Sequence, residues 1–137
     1  MTKLENFSKC LKVLKRADFN LVNDNELCRI GAIAQFNLTF ELAWKALQET
    51  LRLHGVSAAE TGSPREILQL GYKSGFIDDP VVWLLMLKKR NITSHVYSKN
   101  EAELDELILL IRDSFIDAFD KLEKTLQEKF EELETLD

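Results

Sequence analysis

Between Lys3 and Ala17 the apolar residues Leu4, Phe7, Leu11 and Leu14 recur three and four positions apart, which is the spacing of one helix face. A first helix is predicted there. The following stretch, Asp18 to Asn25, is rich in Asn and Asp side chains that bond their own backbone, so it reads as a turn that caps the next helix at Asn23 or Asp24. From Leu27 to about His54 the chain carries no Pro and a single Gly, Gly31. Within it, Ile33, Phe36, Phe40, Trp44, Leu47 and Leu51 form a sustained seam, predicting a second helix roughly 40 Å long. Gly55 supplies its stop, and Val56 to Gly62 reads as loop.

Ser63-Pro64-Arg65-Glu66 is a helix start with Ser as cap, Pro at the first position and Glu placed to close a capping box. That short helix ends near Gly75. Asp79-Pro80 repeats the logic and opens a helix through Trp83, Met86, Leu87 and Arg90, while Ser98-Lys99-Asn100 is a cap or break. The last helix, from about Glu101, presents Leu104, Leu107, Ile108, Ile111, Phe115, Phe119, Leu122 and Leu126 on one face. Its acidic end, residues 128–137, is expected to fray or project. The pattern predicts an all-α fold over a single domain, residues 1–137: an antiparallel up-down four-helix bundle with one extra short helix. On helix two, Ile30, Ala34, Leu38 and Leu42 make a second apolar row; an arc that wide is either central in a large domain or buried by a partner, and in a bundle of this size a partner is expected.

Composition narrows the class. At 137 residues, 45% of them apolar, the chain buries enough surface to fold without a metal or disulfide staple. Five Gly and two Pro are too few for the turns of a sandwich or barrel. No apolar run approaches a membrane span and the first residues lack a signal-peptide layout, so the expected location is cytoplasmic. Cys10 and Cys28 form no CxxC pair, and neither a metal nor a cofactor is expected. The net charge of -5 speaks against general nucleic-acid binding by charge, so any such contact must be local.

No Gly-rich phosphate loop, HExxH or GxSxG is present; what stands out is Lys88-Lys89-Arg90-Asn91-Ile92-Thr93-Ser94-His95-Val96-Tyr97. If the helix opened by Pro80 continues through this run, Trp83, Leu87, Arg90, Ser94 and Tyr97 share a face and Asn91 lies one turn from His95. Arg90 then offers a positive fork for phosphate and His95 a proton carrier near neutral pH. Asn91 and Tyr97 add hydrogen-bonding groups, and Lys88 and Lys89 add positive charge for phosphate. Each has a plainer reading. Arg90 could pair with an acid of the last helix, Lys88 and Lys89 could form a solvated face, His95 could be a satisfied core or interface histidine, and Tyr97 a buried ring. Asn-Ile-Thr-Ser is poor in helix formers, and such local rule-breaking favours function.

Phe40-Glu41-Leu42-Ala43-Trp44-Lys45, Ser63-Pro64-Arg65-Glu66, Trp83 with Met86, and Arg90-Asn91 with His95-Val96-Tyr97 resemble the HEPN superfamily. More narrowly, they resemble its nucleotidyltransferase substrate-binding branch. The likeness runs from about Leu4 to Leu126, and its most specific part is Arg-Asn-x-x-x-His-x-Tyr; this chain has Gln35 and Asn37 where members carry a charged pair. The resemblance implies a dimer whose Arg and His motifs face each other across a cleft that takes RNA or a nucleotide. It implies one of two activities. The first is a metal-independent ribonuclease toxin with Arg90, His95 and Asn91 catalytic, neutralised by a minimal nucleotidyltransferase that adenylates Tyr97. The second is a non-catalytic subunit that binds a nucleotide or substrate for that transferase. A purely structural helical dimer is the third option.

Overall fold

The computed structural model describes residues 2–22, 24–90 and 101–135, and every regular element among them is helical. Helix α1 spans Lys3–Leu14 and starts where the Thr2 hydroxyl accepts the Glu5 N–H at 3.1 Å. It stops short of Ala17 because Arg16 and Ala17 bond carbonyls only three residues back, tightening the last turn. Asp18 then accepts from the Asn20 N–H at 2.9 Å, closing a side-chain turn.

Helix α2, Glu26–Leu53, is the spine of the fold: 28 residues, about 42 Å long. Its cap is Asn25, which accepts from the Cys28 N–H at 3.1 Å, rather than the expected Asn23 or Asp24. The reason lies just upstream. The N–H groups of Asp24 and Asn25 both donate to the Leu21 carbonyl, so the turn closes later and moves the helix start with it. Gly55, at φ 85°, ends α2, and the Val56 N–H reaches back to the Leu51 carbonyl. A 3₁₀ turn over Ser57–Glu60 leads to α3, Pro64–Lys73, which opens with the expected capping box: Ser63 and Glu66 exchange bonds of 3.2 Å. Gly71 lets α3 approach α2 closely, since a Cβ there would lie 2.9 Å from the Leu47 side chain.

Helix α4, Pro80–Lys89, has Pro at its first position. Asp79 stands at the cap as expected but makes no side-chain cap bond; its carboxylate faces the Trp83 indole instead. Beyond residue 100, α5 (Glu101–Leu110) passes through a π-turn over Ile111–Phe115 into α6 (Ile116–Thr135), forming one continuous rod. The acidic residues from Glu128 onward are helical as far as Thr135.

An aromatic core joins these rods. Phe36 stacks on Phe115 with ring centroids 5.2 Å apart, while Phe119 takes the edges of Trp83 at 5.6 Å and Phe7 at 6.1 Å. The predicted α2 seam of Ile33, Phe36, Phe40, Leu47 and Leu51 is buried, with Trp44 half-buried. The second α2 row behaves differently: Ala34 and Leu38 are exposed, Ile30 and Leu42 are half-buried, and Leu27, at the head of the helix, is 81% exposed. No helix among the described residues is long and apolar enough to cross a membrane.

Candidate functional site

The site begins at the last turn of α4. An apolar helix ends there on Lys88, Lys89 and Arg90, and positive charge at a helix C-terminus is favoured by the helix dipole. Arg90 is still tied to the helix by its N–H, which donates to the Met86 carbonyl, so the root of its side chain is fixed. Lys88 is exposed, and Lys89 pairs with Glu106 of α5 at 3.8 Å.

Arg90 turns the other way, toward α2. Its Nη1 donates to Glu41 Oε1 at 3.1 Å, and the other oxygen of that carboxylate accepts from the Trp44 indole Nε1 at 3.0 Å. Glu41 and Trp44 lie one turn apart on α2, so a single carboxylate orients a guanidinium and an aromatic plane together. Lys45 adds a second cation at this edge, its ammonium 5.9 Å from the Trp44 ring centroid. The Arg90 side chain is 26% exposed, open enough to meet a ligand yet held by its partner.

One alternative is decided here. The ion pair considered between Arg90 and the last helix is formed by Lys89; the partner of Arg90 is Glu41 on α2. Lys88, Lys89 and Arg90 all root at the end of α4, but the Lys89 and Arg90 side chains diverge, toward α5 and α2. Asn91, His95 and Tyr97, and the continuation of α4 that would align them, lie outside the described residues. Glu41 entered the sequence reading only as part of a resemblance and Trp44 also as a seam residue of helix two, yet their spacing of three residues was a usable signal.

One further group borders the region. Arg29 of α2 donates through Nη1 to Glu101 at 2.8 Å and through Nη2 to Asp105 at 2.7 Å and to the Glu101 carbonyl at 3.2 Å. Arg90 and Glu101 flank residues 91–100, so the chain on both sides of that stretch is tied to α2, at positions about 18 Å apart along its axis. At the opposite end of α4, Asp79 lines a hollow of about 290 Å³ with Trp83, Lys121 and Lys124. Burial and then the neighbouring Asp78 push its carboxyl above the ordinary value. Lys121 opposes this, as does the Trp83 indole N–H, which faces Asp79 without reaching full hydrogen-bond geometry.

The described residues thus define an all-helical protein with an arginine held at a helix end beside a carboxylate and an indole. Residues 2–128 match the family described as nucleotidyltransferase substrate binding protein like, and the chain belongs to that HEPN-type, nucleotidyltransferase-associated family. It is 30% identical over 93 residues to a Haemophilus influenzae protein named probable ribonuclease HepT, a match covering 63% of this chain and 62% of that protein's length. A solved Haemophilus influenzae structure, described as the fold of a substrate binding domain of a nucleotidyltransferase, superposes with a TM-score of 0.74. That likeness covers 90% of this chain and 98% of the other at 23% identity, and concerns the fold.

Proposed function

We propose that this protein is a HEPN-type, metal-independent ribonuclease toxin paired with a minimal nucleotidyltransferase as its antitoxin. Residues 1–137 act as one domain, an up-down antiparallel four-helix bundle that works as a cytoplasmic homodimer. The observation that carries the reading is Arg90: it heads the stretch matching the family motif, and Glu41 holds it while leaving it partly open to a ligand.

In this mechanism the 2'-hydroxyl of the substrate attacks the adjacent phosphorus and the bond to the 5'-oxygen breaks, leaving a 2',3'-cyclic phosphate and a 5'-hydroxyl. His95 takes the 2'-hydroxyl proton or delivers one to the departing oxygen. Arg90 stabilises the charge that builds on the phosphate, and Asn91 orients His95 or the phosphate. Lys88 and Lys89 hold flanking phosphates. A net charge of -5 opposes RNA binding over most of the surface, but a dimer brings two Lys88-Lys89-Arg90 clusters to one cleft. The exposed α2 row of Ala34 and Leu38, with the half-buried Ile30 and Leu42, supplies apolar surface for that pairing. The transferase would silence the cleft by moving an adenylate from ATP onto the Tyr97 oxygen, the α–β phosphoanhydride bond breaking to release pyrophosphate and the hydroxyl proton passing to solvent, which adds bulk and negative charge where RNA must lie.

The alternative is a non-catalytic subunit in which the same arginine holds a nucleotide or substrate for the transferase. The words substrate binding in the family description are the observation behind it. End-group analysis separates the two. The ribonuclease reading expects cleaved RNA bearing 2',3'-cyclic phosphate ends in the presence of chelator, lost by His95→Ala. The binding reading expects intact RNA and a nucleotide affinity that falls with Arg90→Ala.

A further inference from the structure

Trp44 does more at this edge than cover the core. Its ring is half-buried, and its indole N–H is spent on Glu41, which fixes the orientation of the plane. The same carboxylate fixes Arg90, so Trp44 Nε1 and Arg90 Nη1 each lie within 3.1 Å of one group. In a nucleotide the base is one sugar away from its phosphate. A phosphate seated on Arg90 therefore brings a neighbouring base within reach of the indole. The ammonium of Lys45 stands over the ring at 5.9 Å, a contact that an exposed lysine yields easily.

Resting on the ribonuclease reading, we propose that Trp44 is a base-stacking platform that takes the face of an unpaired nucleobase beside the phosphate held by Arg90. This makes the substrate class single-stranded RNA. A paired base is stacked within its helix and cannot offer its face to a side chain, whereas an unpaired base swings out and stacks on an aromatic plane with little regard to sequence. The fixed orientation of the ring gives the stack a defined place relative to Arg90.

The test uses the full chain with His95→Ala, so that bound RNA stays intact. Its probes are a labelled single-stranded oligoribonucleotide, the same strand annealed to its complement, and an abasic ribose-phosphate strand of equal length. The expected result is tighter binding of the single strand than of the duplex, with tryptophan fluorescence quenched on binding. Adding Trp44→Leu should weaken the single strand by about tenfold and abolish the quench while leaving the abasic strand unchanged. Trp44→Phe, which keeps an aromatic plane and guards against misfolding, should stay within about threefold of the parent. Equal weakening of the single and abasic strands by Trp44→Leu, or no weakening of either, overturns the stack while RNA binding stands. Failure of the parent protein to bind any of the three probes removes both the stack and the ribonuclease reading. A change of oligomeric state in Trp44→Phe would assign the ring to a subunit interface and overturn the stack.

Discussion

Arg29 and Arg90 both bond across to another helix at α2, yet they are held in different ways. Arg29 is 13% exposed and engages two carboxylates and a backbone carbonyl, uniting the start of α2 with the start of α5. Its charge is already taken up by the two carboxylates, which leaves little for an incoming phosphate. Arg90 is 26% exposed, and among the described residues it bonds one oxygen of one carboxylate, which is shared with an indole. Lys88 and Lys89 belong to the same helix end, with Lys89 paired to Glu106, and Lys45 adds a cation beside Trp44. Arg29, with both terminal nitrogens bonded to α5 and its Nε buried without a partner, is a tie between helices. Arg90, bonded to a single carboxylate among the described residues and more open to solvent, is the better placed of the two to meet a ligand.

The comparison breaks most sharply at Arg90. Arg90→Ala should lower RNA cleavage by about 10²- to 10³-fold, the usual loss for a group that stabilises developing charge, while thermal unfolding changes by less than about 1 kcal/mol. Arg29→Ala should show the reverse, destabilising the protein by about 1–2 kcal/mol in denaturant unfolding with cleavage by the folded fraction within a few-fold of normal. Exchanged phenotypes would mean the roles have been assigned the wrong way round. Glu41→Gln removes the charge that holds Arg90 but keeps an acceptor for Trp44, so cleavage should fall by about tenfold with little change in melting temperature. An unchanged rate would make Glu41 a bystander.

The smallest effect lies at the far end of α4. Because burial and Asp78 raise the Asp79 carboxyl in the folded state, folding takes up a proton there. The stabilising contribution of that group is complete below the unfolded value of 3.8 and is lost as pH rises through the higher folded value. Asp79→Asn should therefore be slightly more stable than the parent at neutral pH, with the difference vanishing in acid. Melting curves across that range check it, and a variant less stable at neutral pH would show that the negative charge at the start of α4 matters more than its burial.

The start of α3 was legible because Ser63, Pro64 and Glu66 act on backbone within one turn of themselves. Two other caps show the limit. Asn25 displaced Asn23 and Asp24 because the Leu21 carbonyl gathered both following N–H groups, a choice among local turns that residue type alone leaves open. Asp79 held its position but gave up its capping bond to face Trp83 one turn on, a choice between two local partners that residue type alone leaves open. The π-turn over Ile111–Phe115 had no sequence signal, since apolar spacing of three and four continues through it. At the site, the basic cluster could be read directly, whereas its carboxylate could not: Glu41 lies 49 residues from Arg90, and helical periodicity says nothing about which acid a distant arginine will meet. Arg29 was missed for the same reason.

The central claim is that Arg90 is held for a phosphate and not merely as a tie. The direct measurement is the rate at which purified protein cleaves single-stranded RNA in excess chelator, compared with Arg90→Ala at matched folded fraction. The account predicts cleavage by the parent and a loss of at least about a hundredfold in the variant. Equal rates in the two proteins, or intact RNA in both, would contradict it.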